Sequence, residues 1–416
     1  MRSSSRRAGR RLVSVLDIGT AKIACLIAVA DESGGVRIVG LGHQRSRGVK
    51  AGVIIDLDQA EQAIRASVGQ AERMAGVTLE EVVVGVSCGR LASLNFAAST
   101  DVETGRVGDG DIARALKGAR AFAERDGRAL VHLNPTGIRL DGAPGGGDPR
   151  GMAARRLGLD LHAVTADEGP LQNLTLAVER CFLGVSALVP TPYASALAVT
   201  TEEERRLGVA VLDIGAGTTT IAGFVDGRFV LADAIPVGGH HITFDIARSL
   251  QMPLAQAERI KALYGALVSA PSDVHDTFTY QLAGEDEGVE HTTTKAVLGE
   301  IMRPRVASLV DLAGDRIERS GLGGLIGERV VVTGGSSAIV GLGELTASRL
   351  GRSVRAAVPT RLNGLPPSVA GPAFSTVVGL MIAATADDGA IGSDAYDEAR
   401  QTGYLGRVGA WLRDGF

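Results

Sequence analysis

The sequence predicts an α/β fold of two duplicated lobes, each an ordered run of β-β-β-α-β-α-β, with two inserted subdomains and an amphipathic helix at the C-terminus. Three observations predict it. The stretch Leu16-Asp17-Ile18-Gly19-Thr20-Ala21-Lys22-Ile23 is echoed by Leu212-Asp213-Ile214-Gly215-Ala216-Gly217-Thr218-Thr219-Thr220. Each is a short apolar strand, an Asp, and a glycine turn rich in hydroxyls. The copies stand too far apart for one βαβ unit and suit two half-molecules. A third turn, Thr333-Gly334-Gly335-Ser336, ends another apolar strand.

The elements follow in order. Leu12 to Leu16, Ile23 to Val29 and Val36 to Leu41 read as strands joined by tight turns. Asp58 to Ala75 reads as a helix capped by Asp58. Its apolar stripe is Ala60, Ala63, Ile64, Ser67, Val68, Ala71 and Met74. Val82 to Val86 is a buried strand, and residues 1–86 form the first lobe with a basic tail. Residues 87–165 are punctuated differently and read as an inserted subdomain. It holds a strand from Ser93 to Ser99, a helix from Asp109 to Arg125 and a glycine-rich loop from Asp141 to Met152. Residues 166–205 return to the first lobe, and 206–239 open the second, where the strand order restarts at Val209. Residues 240–315 read as a second, mostly helical insertion with helices at Pro253 to Tyr264 and Thr294 to Arg319; Pro304 should bend or restart the latter. Residues 316–385 supply the strand from Arg329, a helix from Gly343 to Leu350, and a buried helix around Phe374 to Ala384 that closes the first lobe. Residues 386–403 form an acidic tether containing Gly and Ser, and 404–416 the terminal helix.

Two Gly/Thr hairpins facing each other would grip a polyphosphate from both sides. Glycine lets backbone N–H groups approach phosphate oxygens, Thr and Lys add donors, and an Asp at each strand end can hold hydrated Mg²⁺. One copy alone would pass for an ordinary turn; two in matching context carry the nucleotide reading. The Gly-Gly turn allows close backbone approach to a flat ligand such as adenosine.

Composition narrows the rest. A chain of 416 residues, 45% hydrophobic and 22% charged, is globular with more than one core. A net charge of -4 argues against nucleic acid. Cys25, Cys88 and Cys181 lack metal or disulfide spacing, which suits a cytosolic protein with reduced thiols. No apolar run reaches the ~18 residues of a membrane span. The basic start, Met1 to Arg11, has no signal-peptide core and reads as a solvated tail that could also touch anionic lipid.

The paired turns and the Gly-Gly turn resemble the actin, Hsp70 and sugar-kinase ATPase superfamily. Within it, the chain from about residue 12 to 416 is most similar to the FtsA family of bacterial cell-division proteins. The stretches that carry this are Val237 to Ala247, Pro253 to Lys261, Glu300 to Val306 and Asp148 to Met152. The resemblance implies an actin-like ATPase fold that binds ATP and Mg²⁺. Asp17 and Asp213 would position Mg²⁺ through waters. Gly19, Thr20 and Lys22, with Gly215, Gly217, Thr218 and Thr219, would hold the phosphates. Gly334, Gly335 and Ser336 would border the adenosine, and Glu258 and Lys261, on one helix face, would close its side unless they are simply a surface pair. It further implies that Arg303 and Arg305 receive the acidic C-terminal tail of FtsZ; the alternative is that they pair with Glu300 and Asp311. Self-polymerisation, later division proteins docking on 87–165, and a place on the cytoplasmic face of the inner membrane at the septum complete the expectation. Ala21 departs from the Ser of many relatives and removes one hydroxyl.

The terminal segment reads independently of any family. At ~100° per residue, Trp411, Tyr404, Val408, Leu412, Leu405 and Phe416 fall within an arc of about 140°, flanked by Arg407 and Arg413. This is the layout of an interfacial helix on an anionic membrane surface. The alternative is a helix packed on the protein's own core.

A hydrolase needs a group that positions water in line with the γ-phosphate. The corresponding segment, Leu188 to Ser195, offers hydroxyls but no carboxylate or Gln, so any ATPase should be slow. Two readings compete: a membrane-attached polymerising adaptor, and a superfamily enzyme such as a sugar kinase, polyphosphatase or Hsp70-type ATPase. A pilus-assembly relative is a third.

Overall fold

The first lobe is built on strands β1 (Arg11–Ile18), β2 (Lys22–Ala30) and β3 (Val36–Arg45), with a small ribbon of β4 (Val49–Lys50) and β5 (Val53–Ile54) behind them. These belong to a computed structural model that describes residues 11–31, 35–286 and 289–386. The basic start before Arg11, the tether beyond Ala386 and the terminal segment Tyr404 to Phe416 lie outside the described residues. Helix α1 (Leu57–Ala75) packs on β2 and β3. Its cap is Asp56, whose carboxylate accepts from the Gln59 amide at 3.0 Å; Asp58 instead sits in the first turn and pairs with Arg180. The predicted stripe is buried apart from Met74, 53% exposed, because it lies a turn beyond the covered face. Ser67 is tolerated in the stripe because its hydroxyl donates to the Gly42 carbonyl at 3.1 Å.

Strand β6 (Glu81–Val86) joins β1 in parallel, and the chain then leaves the lobe. The excursion comprises β7 (Ala92–Asp101), α2 (Asp109–Ala123), β8 (Arg128–Leu140), β9 (Ala143–Gly145) and β10 (Arg156–Asp167). They form a four-stranded antiparallel sheet, β7-β10-β8-β9, with α2 packed on it over Ile112, Leu116, Leu157, Leu159 and Leu161. The chain re-enters the first lobe through α3 (Glu168–Glu179), β11 (Gly184–Pro190), α4 (Thr191–Val199) and α5 (Glu202–Leu207).

The second lobe repeats the plan. Strands β12 (Val209–Ile214), β13 (Thr219–Val225) and β14 (Arg228–Ile235) form its antiparallel part. A second excursion follows: α6 (Gly239–Leu250), α7 (Leu254–Tyr264), β15 (Thr277–Tyr280), β16 (His291–Thr294) and α8 (Lys295–Arg319). The β15–β16 ribbon carries no clear sequence signal; both strands are only four residues long. Helix α8 runs unbroken through Pro304. The carbonyl that this proline leaves without a donor belongs to Glu300, and both residues are exposed, so the carbonyl is open to solvent rather than stranded in the core. Then come β17 (Arg329–Thr333), α9 (Leu342–Leu350), β18 (Ser353–Ala356) and α10 (Ser375–Thr385).

The two central sheets have the same strand order, β3-β2-β1-β6-β11 and β14-β13-β12-β17-β18, each with three antiparallel strands followed by two parallel ones. Helix α10 packs on β1, β2 and β6 and against α4, so the final helix seals the first lobe. No helix among the described residues is long and apolar enough to cross a membrane.

Candidate functional site

The equivalent hairpins β1–β2 and β12–β13 point their turns into one cleft of about 430 Å³ between the lobes. Their backbones match. The Gly19 amide donates to the Lys22 carbonyl at 3.0 Å, and the Gly215 amide to the Thr218 carbonyl at 2.9 Å. Asp17 pairs across its hairpin with Ala24, and Asp213 with Thr220. The turns nearly touch: a Cβ on Gly217 would lie 2.5 Å from the Thr20 hydroxyl, so only glycine lets the lobes close this far. Thr20 Oγ1 also accepts from the Gly52 amide at 3.2 Å.

Asp17, Gly19, Thr20, Lys22, Asp213, Gly215, Gly217 and Thr218 all line the cleft. Thr219 does not. It stands on the opposite side of the pleat, and its buried hydroxyl donates to the Val237 carbonyl at 2.8 Å. The next residue, Thr220, faces the cleft in its place.

Electrostatics single out the floor. Burial pushes the Asp17 carboxyl up to about 6, against the pull of Lys22 and with help from nearby Asp213. Burial likewise raises Asp213, opposed by the Thr376 hydroxyl at 2.9 Å and by Lys22. Burial lowers Lys22, although both carboxylates pull the other way, and its ammonium lies 4.0 Å over the Phe374 ring. A buried carboxylate, Asp213, and a half-buried one, Asp17, against one lysine leave the floor short of positive charge. The hydroxyls of Thr191 and Thr220 are buried, line the same floor and meet no protein partner. Orphaned hydroxyls carry a desolvation cost of ~1–3 kcal/mol that a ligand can remove. A hydrated divalent cation with phosphate oxygens fits this donor set. Among the described residues no group of three or more His, Cys, Asp or Glu forms a protein-only metal cage. The cation would thus rest on two carboxylates, water and phosphate, as Mg²⁺ favours.

The far end of the cleft is built from the second excursion and the Gly-Gly turn. Lys261, buried, donates to the Gly239 carbonyl at 3.0 Å, to Thr243 Oγ1 at 2.8 Å and to Glu258 Oε2 at 2.8 Å. The Thr243 hydroxyl also donates to Glu258. Burial alone would raise Glu258, but these bonds hold it below its usual range. Gly334 has φ 89°, and a Cβ there would sit 2.3 Å from Asp213 Oδ1 and 2.6 Å from the Ile214 carbonyl. Ser336 donates to the Gly215 carbonyl at 3.1 Å, tying this turn to the second hairpin, and Gly335 lines the cleft beside it. Sequence reasoning missed His240, Thr376 and the exposed apolar rim of Leu263 and Val340, a surface suited to a flat base. None of them sits in a recognisable turn motif.

Arg303 and Arg305 lie elsewhere on α8, and neither pairs with Glu300 or Asp311. Arg305 makes a two-pronged pair with Asp245 at 2.6 and 3.0 Å. Arg303 donates to the Leu267 carbonyl at 3.0 Å and the Ser269 hydroxyl at 2.8 Å. Asp311 is taken by Arg349 at 2.7 Å.

Comparison with known proteins agrees with this architecture. A family model described as "Cell division protein FtsA" matches residues 210–379, and one described as "SHS2 domain inserted in FTSA" matches residues 88–165. The cell division protein FtsA of Rhizobium meliloti (strain 1021) is 41% identical over 97% of this chain and 95% of its own. That of Agrobacterium fabrum (strain C58) is 42% identical over 99% and 96%. That of Escherichia coli (strain K12) is 30% identical over 98% and 99%. Among solved structures, a PilM–PilN type IV pilus biogenesis complex aligns with a TM-score of 0.63 at 18% identity, over 90% of this chain and 98% of that one. MreB5 of Spiroplasma citri bound to ADP aligns with 0.54 at 15% identity, over 89% and 95%. At these identities the likeness is one of fold, and the fold is that of the actin-like ATPases.

Proposed function

The chain belongs to the FtsA family of cell division proteins, and from that premise we propose that it is an ATP- and Mg²⁺-binding adaptor. It polymerises on the cytoplasmic face of the inner membrane at the septum and ties FtsZ filaments to it. The observation that carries the nucleotide half is the cleft: matched hairpins, two carboxylates and two orphaned hydroxyls on one floor. An MreB5 of the same fold was solved with ADP.

Bound there, Mg-ATP supplies a charged bridge between the lobes. Asp17 and Asp213 orient the water shell of the cation. Lys22, Thr218, Thr220 and the turn amides donate to phosphate oxygens. Glu258 and Lys261 face the ribose, and Leu263 and Val340 flank the base. The first turn of α4, Thr191-Pro192-Tyr193, holds no carboxylate or Gln to align water. Hydrolysis is therefore slow, and nucleotide acts mainly by favouring one arrangement of the lobes.

Arg303 and Arg305 receive the acidic tail of FtsZ. Arg305 already holds a carboxylate from Asp245 in two-pronged geometry, which an incoming carboxylate would exchange for its own. Residues 87–165 dock later division proteins. The terminal segment, through Tyr404, Leu405, Arg407, Val408, Trp411, Leu412, Arg413 and Phe416, lies in an anionic membrane surface. Each large apolar side chain it buries contributes ~1.5–3 kcal/mol before ordering costs.

The test is co-sedimentation with anionic vesicles, with and without Mg-ATP, for the full chain and a chain ending at Thr402. Pelleting of the full chain alone supports the adaptor. Equal solubility of both would contradict it and favour a soluble enzyme of the superfamily.

A further inference from the structure

The first insertion touches both lobes, in two different ways. Its root is in the first lobe, where β6 enters and β10 leaves. There Asp167 is held by Arg128 at 2.6 Å and Arg90 at 2.6 Å. Its other attachment crosses to the second lobe and lands on β14, an edge strand with unpaired backbone groups.

Side chains of the insertion satisfy those groups. Ser93 Oγ accepts from the Ala232 amide at 2.5 Å and donates to the Ala232 carbonyl at 3.0 Å. Asn95 donates to the Val230 carbonyl at 3.1 Å, and Asn134 to the Phe229 carbonyl at 3.1 Å. Behind this row the His162 ring donates from Nε2 to Ser93 Oγ at 2.9 Å, which holds that rotamer. Ser93, Asn134 and His162 are partly to fully buried, so their bonds are costly to leave unmade, whereas Asn95 is exposed.

An aromatic junction lies alongside. His132 of the insertion, Phe229 of the second lobe and Tyr193 of α4 meet with ring centroids 4.8 to 5.7 Å apart. Burial pulls His132 down to about 4 and His162 to about 3, so both stay neutral near pH 7. Tyr193 follows Thr191 by two positions on α4, and Thr191 lines the floor of the cleft.

We propose that the first insertion is a clasp: rooted in the first lobe and hooked over the open edge of the second, it resists separation of the lobes and slows escape of nucleotide from the cleft. This rests on the nucleotide reading of the cleft. The lobes can part only by swinging β14 away from the insertion, which strips the Ser93, Asn95 and Asn134 bonds and opens the aromatic junction.

The experiment is dissociation of a fluorescent ATP analogue with Mg²⁺ from the full chain, chased with unlabelled ATP. Its companion is hydrogen exchange at the Ala232 amide. Ser93→Ala with Asn134→Ala removes three bonds to β14, so release should quicken by about tenfold and Ala232 should lose protection. Asn95→Ala alone, the milder variant, should quicken release by about threefold if the double variant folds poorly. Lys117→Ala, on the exposed face of α2, should change neither readout. Folded variants that bind the analogue and release it at the wild-type rate would overturn the clasp while leaving nucleotide binding intact. Absence of analogue binding by the wild-type chain would overturn the functional reading, and the clasp with it.

Discussion

At the last turn position the first hairpin carries Lys22 and the second carries Thr218, although the backbones around them match bond for bond. Two residues on, the first has Ala24 and the second Thr220, each opposite the shared Asp. Duplication kept the frame, because a four-residue turn closed by a glycine amide leaves little freedom. It did not keep the side chains: at these positions one hairpin presents a charge, the other hydroxyls. Only the aspartates are common to both, which suits the proposed cation lying between the lobes.

The largest effect should come from breaking the prop under the second hairpin alone. Gly334→Ala forces a non-glycine residue into φ 89° and drives a Cβ against the Ile214 carbonyl. The conformational strain is about 1–3 kcal/mol before the clash is added. Nucleotide binding should vanish and the melting temperature fall, read by titration and thermal unfolding.

Next, Lys22→Met removes the one cation of the floor. A charge-assisted bond contributes ~1.5–3 kcal/mol, so nucleotide affinity should drop about 10- to 100-fold. Thr220→Val gives the second hairpin the apolar character of the first and should cost less, about 2- to 10-fold. Its signature is a crossed sign, since the Thr220 hydroxyl is orphaned without ligand. The nucleotide-free protein should therefore be as stable as wild type or more so in urea, while binding weakens.

These effects rest on features of unequal legibility. The duplication, the strand order and both aspartates were readable because a short turn motif encodes its own geometry. Thr219 was misread for Thr220 because hydroxyls alternate across a pleat, and only the register decides which faces inward. For Arg305 the alternative to a partner-binding role was a pair with a helix neighbour, but its partner Asp245 sits on a different helix, sixty positions away. Asp56 lost the cap to Asp58 in sequence reasoning because both carry the right side chain, and the backbone at Asp56 settles it. The clasp was invisible for the same reason as Arg305: Ser93 and Ala232 meet only after both lobes have folded.

The smallest effect separates the cleft carboxylates, which share one lysine, from a carboxylate with two arginines of its own. Glu204 is gripped by Arg355 at 2.7 Å and by Arg329 at 3.5 Å, and Arg355 foremost holds it down to about 2. Its folded value lies below the ordinary 4.5, so its stabilising contribution is complete above that pH and lost as pH falls toward 2. Glu204→Gln should flatten the decline of the urea midpoint over that window and leave nucleotide affinity unchanged.

The central claim is that both hairpins grip one Mg-nucleotide, and calorimetric titration of Mg-ATP into the full chain tests it most directly. The account predicts a single site whose affinity collapses with EDTA, and in which Lys22→Met and Thr220→Val each weaken binding, the first more than the second. Binding indifferent to Mg²⁺, or lost through only one hairpin, would contradict it.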